Sequence, residues 1–208
     1  MGYLRSAIAI YTKDMRLEAR TKETFSSVLI FAVIVAFVFG FAFDPSPGVV
    51  SLVGPGIVWV AYLFAGILGM NRIFAIECDR GTLEGLLLAP VGREAIYAGK
   101  FASTTTIMVL VEVCLYPVFL LLFDLNLFNI WFFSVTIAAT VGFAAVGTLF
   151  SAISAHTHAR EVLLPMLFLP IVLPVIIGAV SSTSAALTGS GWDGISSWLQ
   201  FIVAFDLV

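Results

Sequence analysis

Charge is what this 208-residue chain has least of: 11% of its residues are charged, against 61% hydrophobic. A soluble domain carries roughly 25% charged residues. Ten Lys and Arg with thirteen Asp and Glu are too few to cover a water-exposed surface of this size. That scarcity excludes a soluble enzyme, a nucleic-acid binder and a disordered polypeptide together. Cysteine is nearly absent as well. Cys78 and Cys114 lie in no CxxC motif, cannot pair across the chain's layout, and read as small hydrophobes. No GxxxxGK[ST] loop is present to grip a nucleotide. Nor is there a Ser/His/Asp or zinc constellation, an internal repeat or a low-complexity tract. The net charge of −3 is too small to select a partner.

What the chain has instead is long uncharged runs. A hydrocarbon core of ~30 Å takes about 20 apolar residues as a helix. Six runs are expected to span, at about 24–43, 50–71, 101–123, 130–153, 162–180 and 195–208. The first follows 23 polar and amphipathic residues and lacks a small-residue cleavage site, so it is not expected to be a removable signal peptide. The whole of 1–208 reads as one all-α membrane domain, preceded by an interfacial segment at 1–23.

The position of the charges says more than their number. Arg5, Lys13, Arg16, Arg20 and Lys22 precede the first span; Arg72, Arg80, Arg93 and Lys100 lie between the second and third; Arg160 lies between the fourth and fifth. The connections around Asp44, Asp124 and 181–194 hold no Lys or Arg. All ten cations therefore fall on one side, and the positive-inside rule makes that side, with the N-terminus, cytoplasmic.

Two cytoplasmic segments carry detail. In the first, Leu4, Ile8, Tyr11 and Met15 recur at helical period, with Lys13, Arg16 and Arg20 on another face and Glu18 four residues before Lys22. Such a helix is expected to lie in the interface with its cations toward anionic headgroups. It is either a plain anchor or an elbow that levers the first span. In the second, 72–100, Gly81 suits a left-handed helix stop. Thr82 is placed to cap a new helix of about eight residues, which must end near Ala89 because Pro90 disfavours helix before it. Leu83, Leu86 and Leu87 share a face of that helix. With no soluble domain in the chain to cover them, the receiver is the membrane surface or another protein.

The run Glu77-Cys78-Asp79-Arg80-Gly81-Thr82-Leu83-Glu84-Gly85-Leu86-Leu87-Leu88-Ala89-Pro90-Val91-Gly92-Arg93 resembles the first cytoplasmic loop of ABC-2-type exporter permeases. Three further stretches narrow the resemblance to the heme exporter protein B family of cytochrome c maturation. They are 71–75 with 95–97, 13–18 with 20–24, and Arg160 to Pro165 followed by Pro170 and Pro174. The likeness runs over nearly the whole chain. It departs at Asp206-Leu207-Val208, where family members continue several residues to complete a sixth span.

The resemblance implies the permease of an ATP-driven exporter in a bacterial inner membrane. A separate ATPase dimer binds the nucleotide, heme is the possible substrate, and heme-handling membrane subunits with a periplasmic-side heme chaperone are the partners. In that reading this chain is not itself an enzyme and binds no cofactor of its own. Leu83, Leu86 and Leu87 would anchor in an ATPase groove, Glu77 and Glu84 would meet ATPase cations, Gly81 and Pro90 would set the helix limits, and Thr82 and Arg93 would flank it. Two mechanisms stay open: a conduit for heme, or a non-conducting lever acting on partner membrane proteins. A heme-sized cavity would mark the first and a tightly packed bundle the second. An ABC-2 exporter of lipid or polysaccharide is the alternative within the class.

Glu112 lies about 11 residues into the third span, roughly 16 Å deep. A carboxylate at midplane costs at least ~2.5 kcal/mol on insertion scales, so it should face protein or water. It belongs either to a substrate path or to a static bond with a neighbouring hydroxyl. Asp206 is a weaker case of the same kind. Pro117, Pro165, Pro170 and Pro174 can bend their spans. His156 and His158 sit beside Arg160 and read as a solvated pair rather than heme ligands. Trp192 and Trp198 flank the last external connection, as interfacial aromatics do.

Overall fold

The structure, a computed structural model, describes residues 2–43, 46–79, 81–125, 128–155, 157, 160–189 and 191–207. Among them every regular element is a helix: α1 Tyr3–Thr21, α2 Glu23–Ala42, α3 Pro47–Asp79, α4 Thr82–Leu88, α5 Arg93–Phe123, α6 Ile130–Ser154, α7 Arg160–Leu187 and α8 Gly191–Asp206. Five of these, α2, α3, α5, α6 and α7, are long and apolar enough to cross a membrane. They coincide with the first five expected spans. The sixth expectation falls on α8, whose 16 residues reach about 24 Å at 1.5 Å per residue.

Helix α3 forms the centre of the bundle and packs against α2, α5, α6 and α7. Val58, Trp59 and Ala61 are fully buried there. Trp59 meets Tyr62 and Phe143 edge-on, and its indole N–H donates to Thr183 Oγ1 at 2.9 Å. Burial leaves that N–H no water, so the Thr183 bond across α3 and α7 satisfies it. Helix α2 packs on α3 and α5 with Val28, Ala32 and Ala36 buried at i, i+4 and i+8. Small side chains at that spacing let two membrane helices pack closely. Helix α7 keeps Pro165, Pro170 and Pro174 inside one continuous element. Its buried Leu164, Phe168, Val172, Val175 and Ala179 recur at helical period.

Two elements outrun the lipid. At 33 residues α3 is about 50 Å long, some 20 Å beyond a ~30 Å core, and its C-terminal turns carry Glu77. Helix α5 starts at Arg93, eight residues before the expected span.

The turn into α4 forms as its residues dictate. Gly81 takes φ 65°, a left-handed conformation that glycine reaches without Cβ strain. Ala89 is extended at ψ 149°, as the residue before a proline should be. One expectation is corrected. Gly81, not Thr82, occupies the cap position, and the Thr82 hydroxyl donates backward to the Glu77 carbonyl at 3.3 Å.

Candidate functional site

Helix α1 ends and α2 begins at one residue, Lys22, whose φ of 52° is left-handed. Glu18 was expected to pair with Lys22. Its Oε1 instead accepts the Phe25 backbone N–H at 2.7 Å, where the free N–H groups and positive end of α2 favour a carboxylate. The turn between α1 and α2 is thus closed by a side chain from α1 that caps α2. Arg72 of α3 bonds Glu23 at 2.6 Å and Ser27 at 3.1 Å, fixing the start of α2 against α3.

The inner face of α1 lies on α5. Ser6 and Ile10 are buried, while Leu4 and Ile8 on the other side are exposed. The two helices meet at Gly99, where a Cβ would stand 2.8 Å from both the Ala7 carbonyl and Ile10 Cβ. Only a residue without a side chain allows that approach.

One turn further along this contact a set of charges converges. Lys100 of α5, 2% exposed, places Nζ 3.0 Å from Asp14 Oδ2 of α1 and 3.0 Å from Glu77 Oε1 of α3. Lys13 of α1 bonds the same Glu77 oxygen and lies 3.1 Å from Asp14 Oδ1. The Ser103 hydroxyl donates to Asp14 Oδ2 at 3.3 Å, and the Lys100 ammonium stands 5.4 Å over the Phe74 ring. Two ammonium and two carboxylate groups form a closed square joining three helices. Burial pulls the Lys13 pKa down, but the Glu77 hydrogen bond and the Asp14 and Glu77 carboxylates outweigh it, so the group titrates above the ordinary lysine value.

This square corrects two expectations. Glu77, expected to meet a partner's cation, is buried and paired within the chain. Lys13, expected to face headgroups, points at Glu77 and Asp14. Arg16 and Arg20 remain exposed on α1. Sequence reasoning missed Lys100 and Asp14. Lys100 entered as a topological cation and, with Gly99, as the end of the loop that carries the resemblance, but with no site role; the available signal was Gly99 beside it.

Helix α4 follows directly from this corner. Glu84 and Pro90 are exposed, Leu86 is half-buried, Leu88 is exposed and Arg93 is exposed at the start of α5. Leu83 and Leu87 belong to the helix, and their side chains lie outside the described residues, as do His156, His158 and the Arg160 side chain.

Within the bundle, Glu112 is buried and accepts the Thr140 hydroxyl at 2.6 Å. That hydroxyl also reaches the Thr136 carbonyl at 2.7 Å. A cavity of about 120 Å³ adjoins Glu112, lined by Tyr62, Tyr116, Phe132 and Thr136 among others. Asp206, at the end of α8, packs on α6 at Gly142 with Oδ1 unpartnered. The Trp192 and Trp131 rings meet tilted at 44°, their centroids 5.0 Å apart.

Comparison with known proteins adds an independent line. A family model described as CcmB protein matches residues 5–208. Heme exporter protein B of Paracoccus denitrificans is 28% identical over 200 residues, 96% of this chain and 90% of the relative. The protein of the same name from Rhodobacter capsulatus is 29% identical over 189 residues, covering 90% and 84%. That from Pseudomonas aeruginosa is 26% identical over 200 residues, covering 95% and 89%.

Proposed function

Because the chain belongs to the CcmB protein family, we propose that it is the membrane permease subunit of an ATP-driven heme exporter in cytochrome c biogenesis, moved by a separate ATPase dimer. The observation that carries this reading is the placement of α4. This leucine-faced helix of seven residues stands at the end of an α3 that overshoots the lipid, with Leu88 86% exposed. An apolar face outside the bilayer core calls for a membrane surface or a protein to cover it, and an ATPase groove is the receiver the family suggests. ATP then enters through the partner, and the remaining partners are heme-handling membrane subunits and a heme chaperone on the far side.

The clustering of the chain's ten cations supports a reading in which α1, the α3–α5 connection and the start of α7 face the cytoplasm, and the family suggests a bacterial inner membrane. Helix α8 enters the bilayer from the opposite face as a sixth, short span, and α1 lies in the cytoplasmic interface with Leu4 and Ile8 toward lipid.

Between conduit and lever, the interior around Glu112 favours the lever. The adjoining 120 Å³ cavity falls below the roughly 300–1,000 Å³ of pockets that hold drug-sized ligands. A macrocycle the size of heme does not fit there. Glu112 in this reading is a static inter-helix bond between α5 and α6.

The test is Leu83→Asp combined with Leu87→Asp, followed by purification with the complete set of native subunits. Loss of the ATPase from the complex, or ATP hydrolysis no longer linked to cytochrome c maturation, is expected. Unchanged co-purification together with unchanged maturation overturns the reading.

A further inference from the structure

The charged square divides the cytoplasmic side of the protein into two bodies. One is α1 with α5, held at the Gly99 approach. The other is α3 with α4, joined across the turn by the bond from the Thr82 hydroxyl to the Glu77 carbonyl. Glu77 is where the two meet. Its backbone belongs to the last turns of α3, five residues before Thr82. Its carboxylate lies between Lys100 of α5 and Lys13 of α1.

Three features distinguish this contact from a fixed staple. First, Lys13 and Lys100 both reach Glu77 through Oε1, and Oε2, although buried, has no partner. A carboxylate in a permanent buried pair normally satisfies both oxygens. Second, Glu77 borders a cavity of about 50 Å³ shared with Leu17, Thr24, Ile76 and Ser103. That is room for one or two waters at ~30 Å³ each, or for the carboxylate itself to shift. Third, each ammonium also has Asp14, at 3.1 Å for Lys13 and 3.0 Å for Lys100. Withdrawal of Glu77 therefore leaves neither cation stranded. A square of this kind has a second arrangement near at hand, which a single buried pair lacks.

We infer that Glu77 is a positioning residue through which displacement of α4 reaches the elbow helix. Lys13 and Lys100 act as a two-cation clamp that holds Glu77 in one position and releases it toward the adjoining cavity in another. The inference rests on the coupling reading above and deepens it. Movement entering at α4 passes through the Thr82–Glu77 bond into the clamp, and from the clamp into α1, α5 and the capped start of α2.

The experiment uses the full complex in its native membrane. Two clamp variants are compared: Lys100→Arg, and the fourfold neutral set Lys13→Met, Asp14→Asn, Glu77→Gln and Lys100→Met. Replacing a whole buried charge set by neutral groups is commonly tolerated for folding. The neutral set is expected to accumulate in the membrane and keep its ATPase, while cytochrome c maturation per ATP hydrolysed falls about tenfold, a typical size for coupling between sites. Lys100→Arg is expected to keep maturation near wild type. A neutral set that retains the ATPase and matures cytochrome c normally overturns the clamp and leaves the coupling reading intact. A wild-type complex that contains no ATPase overturns the coupling reading itself.

Should the neutral set fail to accumulate, Leu17→Cys with Ile76→Cys, in a background without Cys78 and Cys114, bridges the two bodies by a short reducible cross-linker. Maturation is expected to stop on cross-linking and to return on reduction. Full activity in the cross-linked complex overturns the clamp.

Discussion

Lys100 Nζ sits at 3.0 Å from a carboxylate of α1 and at 3.0 Å from a carboxylate of α3, so one buried ammonium holds two helices whose charged residues, Asp14 and Glu77, are 63 positions apart. An ion nearly sealed from water needs such partners, because desolvating a lone charge costs far more than folding can supply. The relationship makes Lys100 the residue on which the arrangement of α1, α3 and α5 depends.

Lys100→Met alone is therefore expected to be much worse than the fourfold neutral set. Removing one member leaves Asp14 and Glu77 sharing only the half-exposed Lys13. Breaking a buried ion pair in this way costs about 3–5 kcal/mol, whereas neutralising the whole set is close to neutral. Thermal unfolding in detergent ranks the two. If the single variant is as stable as wild type, Lys100 is not the anchor described.

Gly99→Val is expected to push α1 off α5. Its Cβ would meet the Ala7 carbonyl and Ile10 at 2.8 Å, and backbone on one side cannot rotate away. Overpacking of this kind costs about 1–3 kcal/mol. Hydrogen exchange of the α1 amides should speed up while that of α6 and α7 stays unchanged. Unaltered α1 protection would contradict the close approach.

Thr140→Val removes the hydroxyl that bonds Glu112 at 2.6 Å and leaves a buried carboxyl group without its partner. The expected loss is about 1–3 kcal/mol. Glu112→Gln keeps an oxygen acceptor in the same place and should be far milder in both stability and cytochrome c maturation. A Gln variant that is stable yet inactive would instead make Glu112 part of a working path, against the static bond argued above.

Lys13 titrates above its ordinary value of 10.5, and the sign of the resulting pH dependence is definite. A lysine whose pKa is higher folded than unfolded stabilises fully below the unfolded value, and the contribution disappears as pH climbs through the folded one. The stability difference between wild type and Lys13→Met should stay constant from about pH 6 to 9 and shrink only in strong alkali. A difference that collapses near neutrality would mean that Lys13 is not held by Glu77 and Asp14.

The parts of the protein legible in its sequence are those set by local chemistry. Uncharged runs located the five long helices because a ~20-residue apolar stretch has few other stable places. Gly81 and Pro90 marked both ends of α4 because each restricts or frees its own backbone. For Glu112 the sequence left open a substrate path or a bond to a neighbouring hydroxyl, and the packing of α6 on α5 supplies Thr140 as that hydroxyl. Two assignments based on spacing alone failed. Glu18 lies four residues before Lys22, a good helical pair, but the helix turns at Lys22 and the carboxylate meets the start of α2 instead. Thr82 has a capping side chain, yet Gly81 takes the cap and the Thr82 hydroxyl reaches back to α3.

The sequence by itself determined the solvent of this protein, the positions of its apolar runs and the two ends of α4, because hydropathy, proline and glycine act within a few residues of where they stand. Only the tertiary structure decided the partners of its charges. Along the chain Lys13, Asp14, Glu77 and Lys100 are ordinary charges outside the uncharged runs. They become one square, sealed at Lys100 and Glu77 and half-exposed at Lys13, because α1 lies down on α5 at Gly99 beside the overshooting end of α3, and no local pattern records where a helix will lie.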